Sequence, residues 1–161
     1  MKPTLCLRIA SGLTLIHAIL HTVGGVFGKP IPGTAAMVAA TMQANHFVVF
    51  GVTRSYADFY FGLGMGITIF LIVEAVLLWQ LSTVAKKNAN ELKPILAVLA
   101  LGYLAFAVNS YLYFFQGPVV VEILIAMMLG LAILTTKPVA RKTTSAIAAQ
   151  GHGGAVEPAR S

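Results

Sequence analysis

Four long apolar segments restrict what this chain can fold into. They cover about residues 5–27, 57–83, 93–115 and 118–136. A helix needs about 20 mostly apolar residues to cross the hydrocarbon core of a bilayer. Charged residues make up only 10% of the sequence, whereas soluble domains carry about 25%. The pattern therefore predicts an all-α fold, an integral membrane four-helix bundle formed by residues 1–136.

The net charge of +6 is explained by membrane topology. Basic side chains collect before or at the start of helix 1, between helices 2 and 3, and after helix 4: Lys2, Arg8, Lys86, Lys87, Lys93, Lys137, Arg141, Lys142 and Arg160. Such residues concentrate on the cytoplasmic side of multi-pass proteins. We therefore predict that both termini are cytoplasmic and that residues 28–56 and 116–118 face outward. The lipid bilayer, and not a nucleic acid, is the expected partner of this charge.

The two ends of the chain differ in character. Helix 1 has the basic start of a signal peptide, but it lacks a clear A-x-A-like cleavage site and carries two histidines in its apolar part, so we expect it to span the membrane. Residues 137–161 are rich in Ala, Thr, Gly and basic residues and show no apolar periodicity. This composition predicts a disordered basic cytoplasmic tail.

The longest connection joins helices 1 and 2. It opens with the turn-forming sequence KPIPG, after which Thr34 is expected to cap a short helix that runs to about Phe50. This stretch is apolar but too short to span a bilayer comfortably. We therefore predict a short interfacial helix between helices 1 and 2, lying over the outer end of the bundle.

Polar side chains inside the apolar segments mark the candidate site. An ionisable residue in a bilayer is costly, so it usually faces the bundle interior and has a function. Counting about 1.5 Å per residue from the outer ends places His21, Asn109 and Glu122 at one depth, with His17 just below them. We expect these four residues to surround a shared polar pocket. The secondary candidates are Glu74, nearer the cytoplasmic end, and the outer residues His46, Arg54 and Asp58.

Three kinds of chemistry are compatible with these residues. A carboxyl beside an imidazole can bind a ligand or transfer protons. A metal could be held by His17, His21, Glu122 and His46, although we predict no metal site because the alternatives are more common. The polar residues can also simply pair and lock the helices together. Arg54 and Asp58, four residues apart, could form an ion pair on one face of helix 2. The sequence assigns no cofactor, and a haem between two helices is disfavoured because both intramembrane histidines lie on helix 1.

Two motifs resemble a known group of proteins. The stretch LIHAILHTVGG at residues 15–25 and the stretch RSYADFYFG at residues 54–62 resemble small four-helix bacterial inner-membrane proteins of uncharacterised function. The resemblance covers residues 1–136. It implies a four-helix fold and a location in the bacterial inner membrane, and it implies no reaction.

Three functions follow from these observations. The first is a polar His/Asn/Glu site in the outer half of the bundle for a hydrophobic or lipid-like small molecule, in an enzyme or a binding protein. The second is a non-catalytic accessory or scaffold subunit, and the third is a small proton-coupled transporter that uses Glu74 or Glu122. The single cysteine, Cys6, argues against dithiol redox chemistry. The sequence also permits a homo-oligomer.

Overall fold

The computed structural model describes residues 2–136, and this part of the chain is mostly helical. The predicted tail, residues 137–161, lies outside the described residues. The elements in chain order are α1 (Pro3–Leu20), a π-helix (His21–Val26), α2 (Thr34–Ala44), β1 (His46–Val49), β2 (Val52–Ser55), α3 (Tyr56–Asn88), a 3-10 helix (Ala89–Leu92), α4 (Lys93–Tyr113) and α5 (Gln116–Leu134). The predicted all-α class is confirmed, with one small hairpin added.

Three helical stretches are long and apolar enough to cross a membrane: Pro3–Val26, Tyr56–Tyr113 and Gln116–Leu134. The middle stretch contains α3, the 3-10 helix and α4. Two contacts show that its halves run antiparallel. Glu74 on α3 bonds to Tyr103 on α4. Phe70, four residues before Glu74, lies beside Phe106, three residues after Tyr103, with ring centroids 6.4 Å apart. Pro94 stands in the first turn of α4, where a missing backbone N–H costs nothing.

The helices pack around α1, which contacts both α3 and α5, while α5 also contacts α4. The apolar core lies at the end of the helices where α1 begins. Its most deeply buried members include Cys6, Leu7, Leu78, Leu96 and Leu129, all at most 1% exposed. The opposite half of the interior is held by polar contacts, which are described below.

The connection between α1 and α3 differs from the prediction. The helix begins after Gly33 without a side-chain cap from Thr34 and ends at Ala44, and residues 46–55 form an antiparallel hairpin instead. The sequence HFVV of β1 is aromatic and β-branched, which favours a strand over a helix. Phe50 and Gly51 make the turn with φ of 48° and 80°, and positive φ at both central residues is what a type I′ hairpin turn requires. The predicted helix to Phe50 is therefore wrong.

Candidate functional site

The three residues predicted to share one depth have different surroundings. Asn109 is exposed on α4, and the interior position beside it is taken by Ser110. The expectation that Asn109 lines an interior pocket is therefore wrong. Glu122 is buried, 4% exposed, and its Oε1 accepts a hydrogen bond of 3.0 Å from the Ser110 hydroxyl. His21 instead lies against α3, where its Nε2 is 3.1 Å from the carbonyl oxygen of Gly64.

Three polar contacts hold α1 and the π-helix that follows it to α3. The Ser11 hydroxyl donates to the carbonyl of Ala75 at 2.7 Å, and the hydroxyls of Thr22 and Thr68 are 3.0 Å apart. The third contact is the His21–Gly64 bond. Hydrogen bonds between helices are favourable in an apolar surrounding, so these contacts help to fix how the helices pair. His21 is satisfied in the same way.

A buried chain of hydrogen bonds crosses from α3 to α4 and α1. The carboxyl of Glu74 bonds to the hydroxyl of Tyr103. The Tyr103 hydroxyl is 2.9 Å from the hydroxyl of Thr14, which also donates to the carbonyl of Ala10 at 3.0 Å. Glu74, Tyr103 and Thr14 are 7%, 2% and 0% exposed. Glu74, only a secondary candidate in the sequence, therefore lies at the centre of the interior network.

The number of protons available to this chain of hydrogen bonds restricts its chemistry. Three hydrogen bonds, Thr14 to Ala10, Thr14 to Tyr103 and Tyr103 to Glu74, need three protons. The two hydroxyls carry one proton each. The third has to come from the carboxyl of Glu74. If each bond uses a proton of its own, all three form together only when Glu74 is protonated, and loss of that proton leaves one of them without a hydrogen.

Two buried atoms in the described residues have no hydrogen-bond partner in the protein. They are Nδ1 of His17 and Oε2 of Glu122. Glu122 lies within electrostatic range of Tyr103, which is itself bonded to Glu74. Unpartnered buried polar atoms are rare in native proteins and usually mark the place of a water or a ligand. These two atoms are therefore the candidates in the described interior for a bond to a further polar group.

The outer candidates are satisfied locally. Nδ1 of His46 is 3.1 Å from the carbonyl of Ala44, and Nη1 of Arg54 donates to the carbonyl of Thr53 at 3.1 Å. Asp58 forms a capping box with Ser55 at the start of α3. The predicted Arg54–Asp58 pair on one helix face is wrong, because Arg54 lies on β2 and the helix begins only at Tyr56.

The metal alternative has no ligand set in the described residues. Between residues 2 and 136, no group of three or more His, Cys, Asp and Glu side chains is arranged to hold a metal ion. His21 is directed to α3, and His46 lies exposed outside the helices. The residues considered for a metal are therefore divided among different surroundings.

Two residues of the interior network, Tyr103 and Ser110, were absent from the predicted site. Both lie on the buried face of α4 together with Ala107, at positions 103, 107 and 110. The signal was available, because a tyrosine and a serine at helical spacing inside an apolar segment need interior partners. Asn109, the residue predicted from this helix, lies one position before Ser110, which faces the interior.

Comparison with known proteins assigns this sequence to no family. No protein-family model matches the sequence, and no curated protein or solved structure is significantly similar to it. The resemblance to small bacterial inner-membrane proteins stays a prediction. The function is therefore argued from the interior residues alone.

Proposed function

We propose that this chain is a multi-pass protein of the bacterial inner membrane, with α1, α3, α4 and α5 forming a four-helix bundle and both termini in the cytoplasm. Large apolar side chains such as Val73, Val98 and Leu101 are 60–69% exposed. Such a surface is costly in water and suits lipid. At the opposite end from the hairpin, Arg8 lies 4.9 Å from the ring centre of Trp79, an arrangement that suits a membrane interface.

The topology is testable with reporter fusions. Fusions after Lys87 and after Lys142 are expected to report the cytoplasm, and a fusion within residues 30–54 is expected to report the outside. A periplasmic location of the C-terminus would contradict this orientation.

The function that the interior supports best is binding of a hydrophobic or lipid-like small molecule that carries one polar group. The observation behind it is the pair of unpartnered buried atoms, Glu122 Oε2 and His17 Nδ1. The hydroxyl, carbonyl or amide of an amphiphile can bond to such atoms, while its apolar body lies among the apolar side chains of the helices. Whether a reaction follows binding depends on the molecule bound.

The test is identification of molecules that purify with the protein. Mass spectrometry of extracts from wild-type protein is expected to detect an amphiphile that is absent from Glu122→Gln. That variant keeps an acceptor for Ser110, so it should fold, while an amide NH₂ can replace the free carboxyl oxygen. Asn109→Ala, on the exposed side of α4, is the matched control and should retain the molecule.

The outcomes separate this proposal from the accessory-subunit hypothesis. If wild type and Glu122→Gln carry the same lipids in the same amounts, the interior site binds nothing and the proposal fails. If Glu122→Gln instead loses thermal stability without any change in bound molecules, Glu122 only holds α4 and α5 together through Ser110. A scaffold subunit would then be the better description.

A second candidate, a proton-coupled transporter, is favoured by the proton count around Glu74. The protonation of this carboxyl decides whether Thr14 and Tyr103 can both keep their hydrogen bonds. Proton uptake is thereby coupled to the pairing of three helices. Infrared spectroscopy should show the carbonyl band of protonated carboxyl groups in wild-type protein, and Glu74→Gln should remove the part that comes from Glu74 while Glu122, also buried, keeps its own. A band unaffected by Glu74→Gln would exclude Glu74 as the proton carrier.

A further inference from the structure

A cavity lies outside the helix interior, between the hairpin and the first turns of α3. Its volume is about 370 Å³, within the range of about 300–1,000 Å³ typical of small-molecule sites. The walls are mostly apolar and comprise Phe47, Val49, Val52, Phe59 and Leu63. None of the interior residues discussed above contributes to it.

Aromatic contacts hold the hairpin against α3 at this cavity. The ring of Phe47 on β1 packs edge-on against Phe59 with centroids 5.7 Å apart, and it also lies 4.8 Å from the ring of Tyr56. Edge-to-face pairs at such distances are favourable beyond the apolar area that they bury. The wall formed by Phe47 and Phe59 is therefore fixed by contacts within the protein.

The cavity also contains one cation and one anion, Arg54 and Asp58. Arg54 uses Nη1 to reach the carbonyl of Thr53, and a guanidinium has five N–H donors, which leaves the others for a ligand. Asp58 accepts the backbone N–H of Ser55 through Oδ2 at 3.0 Å. A carboxylate has about four acceptor positions, so it retains capacity while the capping box holds it in place.

We propose that this cavity binds a phospholipid whose headgroup carries a phosphate and a primary ammonium, with Arg54 on the phosphate, Asp58 on the ammonium and the start of an acyl chain between the apolar walls. The charges of the cavity and of an aminoethyl phosphate headgroup are complementary. A headgroup with only a phosphate leaves Asp58 facing negative charge. A choline headgroup has a quaternary ammonium that cannot donate a hydrogen bond. This site is independent of the interior site under Proposed function.

The test is native mass spectrometry of the full-length protein in detergent with added phosphatidylethanolamine, phosphatidylcholine or phosphatidylglycerol of identical acyl chains. Phosphatidylethanolamine is expected to bind about tenfold more tightly than the other two, because it alone makes both charge-assisted hydrogen bonds. Equal affinity for the three lipids would overturn the proposal.

Three variants locate the selectivity. Asp58→Asn should reduce the preference for phosphatidylethanolamine to the level of the other lipids, because the charged acceptor of the ammonium is lost. Arg54→Gln should instead weaken binding of all three lipids to a similar extent, because each of them has the phosphate. Asp58→Asn retains an oxygen for the Ser55 N–H, so α3 keeps its cap. Lys29→Gln removes a positive charge from an exposed position that does not line the cavity and should leave the preference unchanged. A loss of lipid affinity in Lys29→Gln equal to that in Arg54→Gln would show that net charge, and not this cavity, binds the phosphate.

Discussion

Replacing Tyr103 by phenylalanine tests the buried hydrogen-bond chain with the smallest change of shape. The ring remains in the apolar core, and only a hydroxyl is removed. Thr14 loses one contact but still donates to the carbonyl of Ala10. Glu74, 7% exposed, loses its bond to Tyr103. One stranded buried group costs about 1–3 kcal/mol, so the free energy of unfolding should fall by that amount.

The matched control is Tyr111→Phe on the same helix, where the side chain is 67% exposed. It should change the free energy of unfolding by less than about 0.5 kcal/mol. A second comparison uses Glu74→Leu as the background, in which no carboxyl is left to strand. There the loss caused by Tyr103→Phe should be smaller, and the difference between the two losses measures the coupling between Tyr103 and Glu74.

Unfolding by dodecyl sulfate in mixed micelles is a suitable assay, followed by the fluorescence of Trp79. This is the single tryptophan of the chain, and its ring contacts Arg8 on α1, so separation of α1 from α3 changes its surroundings. If Tyr103→Phe proves as mild as Tyr111→Phe, or costs the same with and without Glu74, the hydrogen-bond chain does not stabilise the fold and the reasoning is refuted.

Three further predictions address the outer end and the tail. Ser55→Ala removes the cap of α3 and should cost about 0.5–2 kcal/mol of unfolding free energy, measured as above. Gly64→Val adds a side chain where a Cβ would lie 3.0 Å from Val26, and it should lower the free energy of unfolding by about 1–3 kcal/mol. The control is Gly66→Val, where nothing lies within 4 Å of the added Cβ. Equal losses of unfolding free energy in the two variants would exclude close packing as the cause. Truncation after Lys142 should leave membrane insertion and thermal stability unchanged, because the removed residues lack apolar periodicity, and failure of this variant to accumulate would contradict that.

The long helices were predictable because their signal is strong and local. The predicted segment 93–115 differs from α4 by two residues at its end, since a long apolar run predicts a helix regardless of what surrounds it. Which face of α4 points inward was not predictable with the same certainty. The apolar composition is nearly uniform around the helix, and a stripe through Asn109 and a stripe through Ser110 differ by one residue.

The candidate site was predicted in part for the same reason. On α5 the carboxyl at position 122 predicts the inner face, and Glu122 is buried. In the first apolar segment the sequence does not distinguish the two histidines, yet His21 bonds to the backbone of Gly64 while His17 keeps an unpartnered nitrogen. Backbone carbonyls are invisible to reasoning based on side-chain types, so a bond to Gly64 could not be inferred from the sequence.

The length of α3 has a consequence for how the protein sits in a bilayer. Its 33 residues span about 50 Å, whereas the hydrocarbon core is about 30 Å thick. Glu74 on α3 and Tyr103 on α4 are bonded and therefore lie at the same level. From that level, α4 runs ten residues outward to its end at Tyr113, and ten residues along α3 in the same direction reach Gly64. Residues 56–63 of α3 therefore extend about 12 Å past the outer end of α4.

In the proposed membrane arrangement, this overhang would stand at the level of the lipid headgroups and carry the hairpin with it. A thicker bilayer would bring the headgroups up to Arg54 and Asp58, and a thinner one would lift both residues into water. Hydrophobic thickness would then regulate lipid occupancy at the outer cavity even when the lipid headgroups stay the same.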